Sequence, residues 1–441
     1  MAVLYILISV VAIVLLITRL KLHPFLALLF VSIVFGLVSG MNLATLITSI
    51  QDGFGGTLGK IGLIIILGVM IGAFLEHSGG AMALAEKVLS IIGKKRVITA
   101  MGAVGYIISI PVFADSGFIL LSALNKNITK KAGISLAATA IALALGLMVT
   151  HTLVPPTPGP IAAAGILDAD LGKVILLGLP VALVALIPGL VFSIKVAAKT
   201  YIDPRPDLPD QNISTYYPGI LKSSLPILIP ILLIILKSLS VFLGDSAWQL
   251  TAKSILSFVG EPVIALIIGF LFCLKLPRKL EKTMLSTDGW VGKAFRDCTS
   301  ILLITGAGGI FGKVLQNSEA GALMGDSLSQ LNIGIWLPFI LSAAFKSAQG
   351  SSTVALITTA SIMVSLMPGL GYTGEWDKVL VVLAIGAGSM VVSHANDSFF
   401  WVVTQMTGMD VKTGYRLHTL GSLILGITAM ITLFILFTIV H

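Results

Sequence analysis

Long apolar segments alternate with short polar ones along the whole chain, from VLYILISVVAIVLLI near its start to LILGITAMITLFILFTIV near its end. A hydrocarbon layer about 30 Å thick is crossed by about 20 helical residues, which is the length of these segments. They do not alternate apolar and polar residues as barrel strands do, and in lipid only helices or closed barrels satisfy their backbone hydrogen bonds. The pattern therefore predicts an all-α polytopic membrane protein. The ten predicted spans are residues 2–18, 24–41, 60–77, 134–165, 173–195, 224–243, 259–275, 300–316, 378–408 and 417–439.

Composition and charge agree with a membrane protein. Of the 441 residues, 56% are hydrophobic and 11% are charged, and the mean hydropathy is +1.04. The net charge of +8 does not indicate a nucleic-acid partner, because the Lys and Arg residues lie in short loops between spans, as the positive-inside rule expects. The two cysteines, Cys273 and Cys298, match neither a disulfide framework nor a metal-ligand spacing, so no metal or cofactor is predicted. Met1 leads directly into apolar residues, which favours a first span over a cleaved signal peptide.

The chain is predicted to contain two related halves, residues 1–198 and 224–441, joined by a polar linker with several prolines at 199–223. When one half is laid over the other at a nearly constant shift, LGVMIGAFLEHS falls on AGGIFGKVLQNS, and Thr150-His151 falls on Ser393-His394. Single matches are weak in so biased a composition, but their common order indicates an internal repeat.

The basic residues predict that the two halves have opposite orientations in the membrane. We take Arg19 and Lys21 as cytoplasmic. The other basic clusters are then also cytoplasmic only if each of two segments enters and leaves the membrane on the same side. These re-entrant hairpins are residues 97–124, entering from the cytoplasm, and residues 334–368, entering from outside. Both termini and the 166–172 loop are then outside and the linker is inside. An inverted repeat of this kind is a transporter architecture, with binding sites near the midplane where helices are broken.

Four polar stretches interrupt the apolar pattern at midplane depth, as two pairs related by the repeat. They are FADSGF (113–118), VTHTLVPPTPGP (149–160), FKSAQGSST (345–353) and VSHANDSFF (392–400). The four prolines of the second stretch remove backbone donors, so the 134–165 span is predicted to open after about Thr152. Broken helices at that depth are buried in protein or line a watery cavity, and their free N–H ends suit a carboxylate.

Lys346 is the most telling residue in these stretches. A lysine at the centre of a span costs about 2.5–3.5 kcal/mol, so it requires a partner or a ligand. Two interpretations remain open: a buried ion pair with Asp397 or Asp115, or a bond to an anionic substrate. The neighbouring hydroxyls, from Ser347 to Thr353, either cap half-helices or bind a polyhydroxylated substrate. Gln349-Gly350 is predicted to form a turn with functional backbone.

Two histidines and two aspartates are candidates for proton coupling. His151 and His394 each follow a small hydroxyl residue at matching points of the repeat. An imidazole can take up and release a proton near neutral pH, and a carboxyl in a poorly hydrated site is a rival carrier. Asp115 and Asp397 are those rivals.

Other function classes have weaker support in the sequence. The His and Asp positions lack zincin spacing, GAGG (306–309) lacks the strand and lysine of a nucleotide loop, and no Gly-x-Ser-x-Gly elbow occurs. A membrane-embedded enzyme and a passive channel remain as alternatives to a secondary carrier. Sodium is the alternative coupling ion, because broken helices with free carbonyls also suit Na⁺.

The segments HPFLALL, GGTLG, THTLVPPTPGP, GSSTVALIT and SHANDSFFW carry a resemblance to a known family over essentially the full length. The chain resembles the gluconate permease family of sugar-acid and proton symporters, whose relatives include D-serine transporters and which belongs to the ion-transporter superfamily of elevator-type carriers. The resemblance implies a homodimer in the cell inner membrane, with a static scaffold and a moving transport domain. Gluconate-type members have Glu, His and Arg where this chain has Asp115, Thr157 and Lys346, which leaves the substrate open.

The sequence thus predicts a secondary active transporter that imports gluconate or a related small sugar acid with protons. The alternative within this class is a sodium- or proton-coupled carrier of another small carboxylate, such as D-serine or glycerate. The expected partners are the small anionic substrate, the coupling ion and membrane lipid. The predicted substrate-binding residues are Asp115, Ser116, Gly117, Thr152, Pro156, Thr157, Lys346, Ser347, Gln349, Gly350, Ser351, Ser352, Thr353 and Asn396, and the proton-coupling candidates are His151, His394, Asp115 and Asp397.

Overall fold

The computed structural model describes residues 2–93, 96–204, 217–244, 246–318 and 333–440, and all longer regular elements within them are helices. Residues 205–216, which form the middle of the predicted linker, lie outside the described residues. The helices are α1 (Ala2–Thr18), α2 (Pro24–Val38), α3 (Leu43–His77), α4 (Gly80–Ile92), α5 (Val97–Ile108), α6 (Ala114–Ala132), α7 (Leu136–Leu153), α8 (Pro158–Leu167), α9 (Leu171–Lys195), α10 (Ile220–Leu239), α11 (Ala247–Val259), α12 (Pro262–Cys273), α13 (Trp290–Asn317), α14 (Trp336–Gln349), α15 (Ser352–Leu366), α16 (Glu375–Ser389), α17 (Ser398–Thr407), α18 (Val411–Gly414) and α19 (Leu420–Val440). A π-helical segment, Tyr415–Thr419, joins the last two.

Several helices are long and apolar enough to cross a membrane, which confirms the predicted all-α membrane class. Six of the described helical segments meet that condition alone, and a seventh crossing results if α11 and α12, bent by 68° at their junction, count as one. The shorter apolar helices include α2, α5 and α15. The number of ten spans therefore stays a prediction.

Two predicted spans begin earlier than expected, and two helices were not predicted. α3 begins at Leu43 and not at residue 60, and α13 begins at Trp290 and not at residue 300. The added turns contain charged residues such as Asp52 and Lys293, and the prediction used apolar length as its signal. α4 and α11 each have one apolar face and one polar face, as surface helices do. Continuous apolar runs mark the predicted spans, and these two helices have no such run.

Glycines bring α3 and α13 into close contact along their lengths. A Cβ atom at Gly53 would lie 2.6 Å from the carbonyl oxygen of Gly309, so only a hydrogen fits there. Further along α3, a Cβ atom at Gly68 would lie 2.7 Å from the carbonyl oxygen of Pro156, and one at Gly72 would collide with that of Pro111. Small residues allow this approach of backbones in a membrane bundle. The glycine face of α3 therefore supports both the first hairpin and the break after α7.

The four predicted polar stretches coincide with four interruptions of the helices. The chain turns at 109–113 between α5 and α6, and at 350–351 between α14 and α15. It is non-helical at 154–157 between α7 and α8, where the Pro155–Pro156 peptide bond is cis, and at 390–397 between α16 and α17. α7 ends at Leu153, one residue after the predicted opening point. Almost every residue of α7 is buried, so this break lies in the interior of the bundle.

Candidate functional site

A polar cavity of about 110 Å³ lies where the four interruptions meet. Since one water requires about 10–15 Å³ on this scale, the cavity has room for several waters or a small solute. Its lining residues come from α6 and α7, the tip of the second hairpin and the start of α17. They are Phe113, Ala114, Asp115, Met148, His151, Ser351, Ser352, Thr353, Asp397, Ser398 and Phe399.

Three helix N-termini converge on this cavity. α6 begins at Ala114, α15 at Ser352 and α17 at Ser398, and each of these residues lines the cavity wall. The first four N–H groups of a helix lack intrahelical acceptors, and they carry partial positive charge. Ser351 caps α15 through a bond of 3.3 Å from the Val354 N–H, which agrees with the capping interpretation of that hydroxyl. The remaining N–H groups make this wall suitable for a carboxylate.

Lys346 and Asp397 form a buried ion pair at the cavity wall, which Asp397 lines and Lys346 does not. The Lys346 Nζ lies 2.6 Å from Asp397 Oδ2, and the two side chains are 1% and 6% exposed. The ammonium also donates to the carbonyl oxygen of Gly350. Asp397 Oδ1 accepts from the Phe399 N–H at 3.1 Å, so it caps α17 as well. Of the interpretations left open by the sequence, the structure contains the pair with Asp397, and Asp115 is not the partner.

Asp115 presents an unsatisfied oxygen in the cavity. Its Oδ2 accepts from the Ser398 hydroxyl at 3.2 Å, whereas Oδ1 is buried and has no hydrogen-bond partner among the described residues. A buried carboxylate oxygen without a donor is costly, so it requires a proton, a water or a ligand donor. Asp115 is thus the acidic side chain that the cavity leaves available.

The two predicted histidines differ in their surroundings. His151 lines the cavity, its ring lies 5.8 Å from that of Phe113, and its Nδ1 is buried without a partner in the described residues. His394 does not line the cavity. Its Nε2 lies 3.0 Å from the Ser347 carbonyl oxygen, and its ring stacks on Tyr415 at 6.3 Å. His151 therefore faces the cavity, and the hydrogen bond of His394 links the second hairpin to the break before α17.

The tip of the second hairpin is held by its own amide and by Asn396. The Gln349 side chain donates to the Ser351 carbonyl oxygen at 2.6 Å and accepts from the Ser351 N–H at 3.0 Å. Asn396 donates to the Ser347 carbonyl oxygen at 2.8 Å. Gly350 has a φ of +92° and lies against the backbone of Asn396, so a side chain has no room there. This bracing supports the predicted turn at Gln349-Gly350.

The predicted site residues fall into two groups. The structure brings six of them together in the cavity wall: Asp115, His151, Ser351, Ser352, Thr353 and Asp397. The others lie outside the lining: Ser116, Gly117, Thr152, Pro156, Thr157, Lys346, Ser347, Gln349, Gly350, His394 and Asn396. Thr152 and Thr157 bond to nearby carbonyl oxygens, of Met148 at 3.0 Å and Val154 at 2.6 Å. Pro156 lines a separate apolar crevice beside α10.

Several residues at the cavity were not predicted from the sequence. Ser398 and Phe399 line the cavity, as does Met148 one helical turn before His151. Ser398 follows Asp397 in the motif VSHANDSFF, and an Asp-Ser pair at the start of a helix is the sequence signal that indicates Ser398. His418 contacts Ser393 behind the cavity and lies within an apolar span, where no polar interruption marks it.

Comparison with known proteins defines the class. The family model described as GntP family permease matches residues 1–440. A gluconate permease of Pseudomonas aeruginosa is 34% identical and covers 98% of this chain and 96% of its own length. The D-serine transporter DsdX of Escherichia coli O6:H1 is 32% identical and covers 98% of this chain and 97% of its own length. The YdaH transporter structure from Alcanivorax borkumensis covers 90% of this chain and 89% of its own, with a TM-score of 0.66 and 15% identity, so it shares the fold.

The helical fold, the broken helices around a polar cavity and these likenesses define a multi-pass membrane permease and not an enzyme. The chain belongs to the GntP family of permeases. The resemblance stated from the sequence motifs is confirmed.

Proposed function

We propose that the protein is a secondary active transporter that imports gluconate or a related small sugar acid together with protons. The observation that carries the proposal is the convergence of three helix N-termini and several hydroxyls on one polar cavity. A gluconate permease among the relatives supports the choice of substrate. A sugar acid carries one carboxylate and several hydroxyls, which is the chemistry complementary to this cavity.

The N-termini of α15 and α17 are proposed to hold the substrate carboxylate. Ser352, Thr353 and Ser398 would bind the sugar hydroxyls, and the free oxygen of Asp115 would accept from one of them. Lys346 acts indirectly, because its ammonium is bonded to Asp397 and to the Gly350 carbonyl. Its positive charge cancels that of Asp397, which would otherwise repel the carboxylate at short range in a medium of low dielectric constant.

The coupling proton is proposed to load at the cavity face, on Asp115 or His151. Both present a buried nitrogen or oxygen atom without a partner in the described residues. Asp397 and His394 already have partners. The variants Asp115→Asn and His151→Gln separate the two candidates. Loss of the true carrier abolishes stimulation of uptake by a pH gradient, while exchange of substrate across the membrane persists.

The architecture is proposed to be an inverted repeat of residues 1–198 and 224–441, with ten spans, two re-entrant hairpins and an elevator movement. The order of elements supports it: a helix pair with a tight turn precedes a broken helix in each half, α5–α8 in the first and α14–α17 in the second. A homodimer in the cell inner membrane completes the proposal.

Uptake into reconstituted vesicles tests the transport proposal. An inward proton gradient is expected to accelerate the uptake of labelled gluconate, and replacement of sodium by choline is expected to have no effect. Uptake that depends on sodium and ignores the pH gradient would instead establish the sodium-coupled alternative.

D-serine is the second candidate substrate, because a D-serine transporter covers nearly the whole chain. Its ammonium group would meet the free oxygen of Asp115. Competition separates the two: excess unlabelled gluconate is expected to suppress labelled gluconate uptake at least tenfold more effectively than D-serine or glycerate. Stronger competition by D-serine would reverse the assignment.

A further inference from the structure

A third histidine, fully buried, lies behind the cavity and has no role in the proposal above. His418 is 0% exposed and belongs to the π-helical segment Tyr415–Thr419. Its Nε2 lies 3.0 Å from the Ser393 hydroxyl, and its Nδ1 is buried without a partner in the described residues. The Ser393 hydroxyl in turn donates to Asp397 Oδ2. π-helical turns occur frequently at functional sites, and a buried unsatisfied atom requires an explanation.

The number of hydrogens on Asp397, Ser393 and His418 fixes which group donates in each hydrogen bond between them. An ionised carboxylate only accepts, and a serine hydroxyl has a single hydrogen to donate. If Asp397 is ionised opposite Lys346, Ser393 gives its hydrogen to Asp397 and can only accept from His418. His418 must then carry a hydrogen on Nε2, and in the neutral ring this leaves Nδ1 bare. That tautomer agrees with an Nδ1 that lacks a partner.

The surroundings of His418 contain few other charges. Asp397 and Lys346 are the charged groups that act on the ring, and Phe399 and Phe400 cover it at centroid distances of 5.4 and 6.1 Å. On its own helix, Lys412, Tyr415 and Arg416 are exposed. α7 contributes one titratable group, His151, which lines the cavity. His418 is therefore linked to the transport site through Ser393 and Asp397.

We infer that His418 is a positioning residue: through Ser393 it holds Asp397 as a permanent acceptor for Lys346, so that the coupling proton loads on Asp115 or His151 and not on Asp397. The inference rests on the proposed proton-coupled transport. Without the His418 donor, the Ser393 hydroxyl is free to turn away, and Asp397 becomes a second group that takes up protons within the transport cycle.

The test is the pH dependence of uptake in vesicles, normalised to folded transporter. His418→Leu and Ser393→Ala are expected to shift the pH midpoint of uptake in the same direction by about one unit or more. A hydrogen bond to a charged group changes a protonation equilibrium constant by at least about tenfold, which is one pH unit. The double variant is expected to shift it no further, because both changes break one chain of bonds. His418→Gln, which keeps a donor at the Nε2 position, is expected to restore the wild-type midpoint.

Thr419→Val is the matched control, since Thr419 donates to the carbonyl oxygen of Ser393 at 2.6 Å and does not touch its hydroxyl. It is expected to leave the midpoint in place. If His418→Leu lowers the yield of folded protein but its midpoint equals that of the wild type, His418 is only a packing residue and the inference is overturned. A wild type whose uptake moves no protons overturns the proposed coupling itself, and the inference with it.

Discussion

At the residue scale, the pair of Lys346 and Asp397 explains how a lysine is accommodated at the centre of a membrane bundle. Both charges are nearly inaccessible, and each has further hydrogen-bond partners, the Gly350 carbonyl for the ammonium and the Phe399 N–H for the carboxylate. Desolvation of two ions is offset only when the geometry is good and the remaining donors and acceptors are satisfied. The pair also fixes the tip of the second hairpin to the start of α17. It therefore shapes the cavity wall, although only Asp397 lines the cavity.

Removal of one charge of this pair is expected to destabilise the protein strongly. Lys346→Met and Asp397→Asn are each expected to lower the free energy of unfolding by about 3–5 kcal/mol, because the other charge stays buried without compensation. The double variant is expected to recover most of that loss, since it buries no charge and Asn still caps α17. Thermal unfolding of the purified protein in detergent measures all three. A double variant that loses as much as the two single variants together would contradict the pairing.

At the scale of elements, the second hairpin depends on a glycine at its tip. Gly350 combines a φ of +92° with direct contact to the backbone of Asn396, so Gly350→Ala adds both strain and a collision. Strain of this kind costs about 1–3 kcal/mol, and uptake is expected to fall about tenfold or more. Gly371→Ala is the matched control, because Gly371 has a φ of +80° but no atom within 4 Å of the added Cβ. Equal losses in the two variants would show that backbone strain alone is responsible.

The same elements indicate what sequence can predict here and what it cannot. Prolines and polar residues mark the break after Leu153 and the tip near Gly350 locally, so both were predicted closely. The choice of Asp397 over Asp115 as the partner of Lys346 depends on a contact 51 residues apart, which no local pattern encodes. His418 escaped prediction for a related reason: its role arises from the packing of its helix against the break at 390–397, and its neighbours in sequence are those of an ordinary span.

At the scale of the whole molecule, one loop aspartate links three distant parts of the chain. Asp168 follows α8 and lies 3.2 Å from the Lys60 Nζ of α3 and 3.6 Å from the Lys378 Nζ of α16. The hydrogen bond from Lys60 is the main reason why the pKa of Asp168 lies below its usual range. Lys60 and Asp168 are largely exposed, at 62% and 71%, so water and salt screen their attraction.

Asp168→Asn is therefore expected to have a small effect on stability. The loss at pH 7 is expected to be at most about 1 kcal/mol. Because the pKa is lowered on folding, this contribution is present above the ordinary value of about 3.9 and disappears as the pH falls through the folded-state pKa. Thermal unfolding from pH 7 down to pH 3 checks the sign: the difference between wild type and variant should close only at the acidic end. A difference that closes between pH 5 and 7 would point to another group.

The opposite orientation of the two halves makes a prediction about the ends of the two hairpins. Lys131 lies in the last turn of α6 and Thr373 follows α15, and both are exposed. If residues 1–198 and 224–441 are inverted, these positions are on opposite sides of the membrane. A membrane-impermeant maleimide is expected to label Thr373→Cys in intact cells and Lys131→Cys only after permeabilisation. The native Cys273 and Cys298 are both buried, which keeps background labelling low. Labelling of both variants from the same side would mean that the halves share one orientation, and the inverted repeat would have to be abandoned.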